Sequence, residues 1–356
     1  MTENNMPARI PVTFFTGFLG SGKTTLISAL LQQPDMVGTA VIVNEFGEIG
    51  LDNAIFSDTL GDDNVRLLAN GCMCCVAGDD LTLTLRDLVK TDRQAPSRIF
   101  IETTGLADPV SLIQKIMTDL RLRPRFRLDG VVATIDAVNG ARNLDEHEVS
   151  LRQVAVADLR IITKSDLTDP TSICKLSEKL GTLNPGAKTI TVTNGDVVAR
   201  DFFGMSLIDA KTGLADLERW LNVEAHGVAE YNEHHAPRFP EVYFSGGRMH
   251  GEGMGTWLIE ESSPVDWDRL SPRIGAIVEK YGHLLLRLKG VVQTDSDDRP
   301  LVLHGVQHLF HAPVWLKKWP FPPKTAFVVI GGHGANIAIG ELKAALNACV
   351  TITAAR

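Results

Sequence analysis

Apolar and polar positions come in alternating blocks along the first 222 residues. Val12 to Thr16, Thr39 to Asn44, Ile99 to Thr103, Gly130 to Asp136, Leu159 to Thr163 and Lys188 to Thr193 read as short buried strands. Amphipathic stretches lie between them, at Lys23 to Gln33, Val110 to Leu120, Glu146 to Ala157 and Thr171 to Leu183. Strands alternating with helices predict βαβ units, which means an α/β fold with a mostly parallel sheet and helices on both faces.

The pattern changes after Asn222. Val223 to Pro240 has little apolar periodicity, two prolines and three histidines (His226, His234 and His235), and reads as a linker. Beyond it, Glu241 to Phe244, Gly255 to Glu260, Leu284 to Gln293, Pro300 to His311 and Thr325 to Ile330 are strand candidates. Leu270, Ile274, Ile277, Val278 and Tyr281 fall at helical spacing, and Leu342, Ala345 and Leu346 suggest a closing helix. The expected organisation is therefore an α/β domain over 1–222, a linker over 223–240 and a smaller α+β domain over 241–356. A length of 356 residues suits two domains, each able to bury a core.

Charge narrows the function classes. Lysine and arginine total 35 against 43 acids, a net charge of −8. An acidic chain without a basic cluster is a poor candidate for nucleic acid or an anionic membrane surface. No apolar run reaches the roughly 18 residues a membrane span needs, and Met1 to Arg9 lacks the apolar core of a signal peptide. The expected location is the cytoplasm. Of five cysteines, Cys72, Cys74 and Cys75 sit within four residues, a cluster that in a cytosolic chain suggests metal or redox chemistry. Cys174 and Cys349 stand alone in apolar-periodic segments and read as buried structural residues.

Gly17-Phe-Leu-Gly20-Ser21-Gly22-Lys23-Thr24 fits the phosphate-loop pattern without a mismatch, between a strand and a helix as that motif requires. Its glycines let the backbone N–H groups turn inward onto phosphate oxygens, and the helix N-terminus adds a favourable dipole. Lys23 is placed to reach the β- and γ-phosphates, and the Thr24 hydroxyl to bind Mg²⁺. Arg98 to Ile101 is a buried strand that ends in Glu102-Thr-Thr-Gly105. Glu102 is the candidate second magnesium ligand, and Gly105 is a glycine able to approach the γ-phosphate. The strand Leu159 to Thr163 ends in Thr163-Lys164-Ser165-Asp166. A carboxylate at Asp166 accepts two hydrogen bonds from guanine's ring N–H and amine, which adenine cannot offer, so GTP is expected rather than ATP.

The cysteine loop, Asn70 to Cys75, falls between the phosphate loop and Glu102. Three thiolates hold Zn²⁺ at about 2.3 Å if a fourth ligand completes a tetrahedron. Extended backbone sets Cys72 and Cys74 roughly 6.5–7 Å apart. A tetrahedron wants sulfurs only about 3.8 Å apart. The loop must therefore bend, which Gly71 permits. A carboxylate from Asn44 to Asp52 is the candidate fourth ligand. A redox pair and simple buried thiols are the alternatives, and softness alone does not separate zinc from cobalt, nickel or iron(II). His304, His308 and His311 read as structural or surface residues.

With these residues in view, the chain resembles the CobW-like family of P-loop GTPases, which act as metal chaperones or insertases. The resemblance rests on Gly17 to Thr25, Asn44 to Asp52, Gly71 to Cys75, Glu102 to Pro109 and Thr163 to Asp166. It extends to Leu285 to Val292 and Leu303 to Phe310 in the second domain. It implies GTP hydrolysis coupled to metal transfer, with the Cys-x-Cys-Cys motif on Cys72, Cys74 and Cys75 and the switch glutamate on Glu48. The implied nucleotide set is Gly17, Gly20, Ser21, Gly22, Lys23, Thr24, Thr25, Gly105, Thr163, Lys164 and Asp166, with Lys23, Thr24 and Glu102 in catalysis. The implied ligands are GTP, Mg²⁺ and Zn²⁺, with Co²⁺ as the other metal. The implied partner is a client metalloprotein, with a homo-oligomer as a further expectation. The rivals are a cobalt-delivery protein, a nucleotide-gated thiol sensor and a small-molecule kinase.

Overall fold

The computed structural model describes residues 9–43, 65–67, 77–90, 95–193, 195–205, 243–244, 254–310, 313–319 and 321–351. These residues form two compact units, one built on each of two sheets. The expected linker, 223–240, lies outside the described residues, as do His226, His234, His235 and His311.

The first sheet is entirely parallel. Its strands are β1 (Ile10–Thr16), β2 (Thr39–Val43), β3 (Val65–Leu67), β4 (Arg98–Glu102), β5 (Phe126–Asp136), β6 (Leu159–Thr163) and β7 (Lys188–Thr191), in the order β3-β2-β4-β1-β5-β6-β7. Strands β1, β2 and β6 are buried almost throughout, which is why they read as continuous apolar runs rather than alternating ones. The helices are α1 (Lys23–Leu31), α2 (Ala77–Lys90), α3 (Pro109–Thr118), α4 (Gly140–Glu146), α5 (Glu148–Val156) and α6 (Pro170–Leu183). Phe15, Leu26, Ile27, Leu30, Phe100 and Phe202 pack in the core on one side of the sheet.

Two helices escaped the pattern reading. The predicted helix from Glu146 breaks at His147, and α4 precedes it as a separate element. Helix α2 carries Leu81-Thr-Leu-Thr-Leu85, whose period-two alternation is a strand signature. Here Leu81 and Leu85 are buried at helical i, i+4 spacing while Leu83 is exposed. Cys174, expected in a core, is exposed on α6, because its neighbours Leu176 and Leu180 supply the buried face. Cys349 is buried as expected.

The second sheet is antiparallel. It contains β8 (Tyr243–Phe244), β9 (Gly255–Glu261), β10 (Leu285–Val292), β11 (Leu301–Val306), β12 (Leu309–Phe310) and β14 (Thr325–Gly331) in the order β12-β11-β10-β14-β9-β8, and β13 (Val314–Trp315) pairs with β11. The single strand expected from Pro300 to His311 is a hairpin that turns at Gln307, which takes φ 50°. Helices α7 (Trp267–Tyr281) and α8 (Ala335–Asn347) pack their apolar faces on it, with Leu270, Ile274, Leu342 and Leu346 in one cluster with Leu288 and Phe327. Asp266 caps α7 by accepting from the Arg269 N–H at 3.0 Å. His304 is buried, its Nε2 3.0 Å from Arg287 Nη2, which agrees with a structural reading.

Candidate nucleotide site and metal loop

Sheet order places the candidate site. Strand β1 lies between β4 and β5, so the loops that follow these three strands open at one carboxyl edge. Ligands bind in open parallel sheets at such an edge, where connections leave in opposite directions. The register continues past the strands: Phe15 pairs with Glu102, and the Thr103 N–H donates to Phe15 O at 2.9 Å.

The phosphate loop curls through backbone that side chains rarely adopt. Gly17, Gly20 and Gly22 take φ of 141°, 70° and 88°. A Cβ on Gly17 would stand 2.4 Å from Thr134 O, so glycine is required there by contact as well as by torsion. Lys23, buried at the start of α1, donates from Nζ to Gly17 O at 3.0 Å and Phe18 O at 3.3 Å. A buried ammonium needs such acceptors. A row of hydroxyls anchors the loop to the sheet. Ser21 Oγ lies 2.7 Å from Thr134 Oγ1, and Thr103 Oγ1 donates to Thr16 Oγ1 at 3.1 Å.

Glu102 closes β4 with only 4% of its surface exposed, and accepts at Oε1 from Thr24 Oγ1 at 2.8 Å. A hydroxyl and a carboxylate side by side at the mouth of a phosphate cradle are hard oxygen donors, which suit Mg²⁺. The chain's own residues fit that cofactor in both donor type and place. Thr25, next on α1, is exposed. Gly105 lies against the phosphate loop so closely that a Cβ there would meet Leu19 N at 2.6 Å.

The residues expected to read the base follow the end of β6. Thr163 Oγ1 donates to Ser21 O at 2.8 Å and lies 3.2 Å from Ile135 O, so the end of β6 is tied to the phosphate loop. Lys164 takes φ 55°, an uncommon torsion for a side-chain-bearing residue, and donates from Nζ to Asp136 Oδ2 at 2.8 Å. Asp166 is exposed at the adjoining turn.

Asp136 is absent from the sequence-derived set. It also accepts at Oδ1 from the Val138 N–H at 2.7 Å and the Asn139 N–H at 3.2 Å. Burial alone would push its carboxyl up, but Lys164 and these N–H donors outweigh burial and hold it below the ordinary value. An acid that ends a long buried strand was the available signal, the same one that singled out Glu102. Cys72, Cys74, Cys75 and Glu48 lie outside the described residues. Among the described residues, no three histidine, cysteine or acidic side chains group to hold a metal, and no helix is long and apolar enough to cross a membrane.

Known proteins match across both units. Residues 11–191 match the CobW/HypB/UreG nucleotide-binding domain, and residues 254–350 match the cobalamin synthesis protein cobW C-terminal domain. The zinc chaperone YjiA of Escherichia coli K12 is 32% identical over 326 residues, covering 90% of this chain and 94% of its own. The zinc chaperone CobW of Pseudomonas aeruginosa is 30% identical over 377 residues, covering 95% of this chain and 92% of its own. The crystal structure of Zn(II)-bound YjiA GTPase from E. coli superposes with a TM-score of 0.64 at 27% identity, over 97% of this chain and all of that one. This chain belongs to the CobW/HypB/UreG family of nucleotide-binding proteins and carries the family's CobW-type C-terminal domain.

Proposed function

We propose that this protein is a GTP-hydrolysing zinc chaperone, which binds GTP with Mg²⁺ and passes zinc to a client protein under nucleotide control. The observation that carries the reading is the likeness, along nine-tenths of the chain, to a protein named zinc chaperone YjiA. The paired Thr24 and Glu102 beside the Gly17 cradle support the hydrolytic part. The names of the relatives favour zinc over cobalt as cargo.

In this mechanism the phosphate-loop N–H groups and Lys23 hold the phosphates. Lys23 leaves the carbonyls of Gly17 and Phe18 for phosphate oxygens when nucleotide enters. Thr24 and Glu102 would hold Mg²⁺, which would supply positive charge against the phosphates. Asp166 selects guanine, and Thr163 links its loop to the phosphate loop. Zinc is the cargo. We assign it to Cys72, Cys74 and Cys75 with Glu48, in the sequence between α1 and β4, in segments that the third phosphate of GTP is proposed to order. Nucleotide and metal affinities are then linked in both directions. Zinc binding rises with pH, because the thiols must lose protons. The client is a metalloprotein, the setting the cytoplasm, and the domain division that of residues 1–222 and 241–356.

A competition titration of Zn²⁺ against a chromophoric chelator tests this. It is run without nucleotide, with GDP and with a non-hydrolysable GTP analogue. Stoichiometric zinc whose affinity changes about tenfold or more with the analogue, some 1.4 kcal/mol of coupling, is expected. It should vanish in the Cys72/Cys74/Cys75→Ser variant. Equal binding in all three states would sink the switch. Thiol loss under mild peroxide without stoichiometric metal would favour the nucleotide-gated thiol sensor.

A further inference from the structure

Helix α5 touches both loops of the candidate site. Gln153, 1% exposed, donates from Nε2 to Gly105 O at 3.1 Å and to Ala107 O at 3.2 Å. Two carbonyl partners settle which end of the amide faces the loop, since only the NH₂ can donate. The preceding residue, Arg152, sets Nη1 3.3 Å from Asp108 Oδ2, and Asp108 caps α3 by accepting from the Val110 N–H. At the start of the same helix, His147 stacks on Phe18 of the phosphate loop with ring centroids 4.5 Å apart. One short helix thus holds the loop after β4 at Gly105, Ala107 and Asp108, and the phosphate loop at Phe18.

The other end of the Gln153 amide argues against a role in packing alone. Its Oε1 is buried without a hydrogen-bond partner among the described residues, and Gln153 lines a small cavity with Gly17, Phe18, Ser21 and Thr134. A buried unpaired acceptor costs stability, so the amide is accounted for by the donors at its other end rather than by the volume it fills. What the amide supplies is a forked donor to two carbonyls of the loop that carries Gly105. That loop has no slack toward the nucleotide side, because Gly105 already lies on the Leu19 backbone.

We infer that Gln153 is a positioning residue for GTP hydrolysis: its amide sets the Gly105–Ala107 backbone against the phosphate loop, where the third phosphate of GTP meets it. The inference rests on the GTPase reading above. GDP lacks the phosphate that reaches this loop, so the effect of Gln153 falls on GTP and on turnover, and spares GDP. Arg152 and Asp108 steady the same loop from its far end.

The test compares full-length wild type with Gln153→Leu and Gln153→Met, which keep the volume and remove the donor. Affinities for GDP and a non-hydrolysable GTP analogue are measured, with single-turnover GTP hydrolysis and thermal melting alongside. Analogue affinity and turnover are expected to fall about tenfold or more, some 1.4 kcal/mol of coupling, with GDP affinity within about threefold. Equal losses for both nucleotides would reduce Gln153 to a structural residue, and no loss for either would overturn the inference outright. If wild type neither binds nor hydrolyses GTP, the GTPase reading fails instead. If the variants do not fold, the assigned side-chain ¹⁵N–¹H₂ resonances of Gln153 in wild type decide. They should shift between the GDP and analogue states, and identical resonances overturn the proposal.

Discussion

Lys164 and Asp136, 28 residues apart in the chain, meet at 2.8 Å across the ends of β6 and β5. The contact gives the loop after β6 a defined seat, since the Lys164 backbone is held in a left-handed torsion while its side chain is tethered to the next strand.

That seat should weaken at low pH. Despite burial, which opposes the charge, Lys164 and the N–H groups of Val138 and Asn139 hold the Asp136 carboxyl below its usual 3.8. A depressed folded value means a stabilisation that is present above the unfolded value and lost as pH falls through the folded one. Asp136→Asn should therefore lower the denaturation midpoint at pH 7, and its difference from wild type should shrink below pH 3.8. Chemical denaturation of both proteins across that range measures this. A gap unchanged with pH would mean that Asp136 acts through shape alone.

Gly17→Ala tests the cradle. The new Cβ would meet Thr134 O and Oγ1 at 2.4 Å, in a torsion that alanine avoids. The expected loss is about 2 kcal/mol or more of stability together with nucleotide binding, read by thermal melts and a fluorescent GTP analogue. Gly20→Ala meets no atom within 4 Å and should be milder.

Lys23→Ala and Thr24→Ala separate charge from metal. Each should cut single-turnover GTP hydrolysis by about 100-fold or more, the usual scale for removing one preorganised group. Raising Mg²⁺ should recover part of the Thr24→Ala loss and none of the Lys23→Ala loss. Identical Mg²⁺ profiles would detach Thr24 from the cation.

Asp166 is exposed, so its replacement costs the fold little. Asp166→Ala should narrow the preference for GTP over ATP by about 100-fold, through two lost charge-assisted hydrogen bonds. Competition binding reads the ratio. A ratio that does not move would favour the small-molecule kinase.

The chain by itself determined what depends on neighbours in sequence. The phosphate loop is eight consecutive residues between an apolar strand and a helix, so spacing alone carries its chemistry. Buried strands such as β1 and β6 are equally plain, since burial on both faces leaves uninterrupted apolar runs. Tertiary structure decided the rest. The Leu81 to Leu85 repeat fits a strand or one face of a helix, and packing alone chose the helix that buries Leu81 and Leu85. Thr24 and Glu102 are 78 residues apart, and Thr163 and Ser21 are 142 apart. Only the strand order that sets β1 beside β4 and β5, with β6 next, turns those separations into hydrogen bonds. Asp136 showed its strand-end position in the sequence but not its partner Lys164, and Gln153 showed neither role nor partner, because both contacts form only once the sheet has brought the loops together.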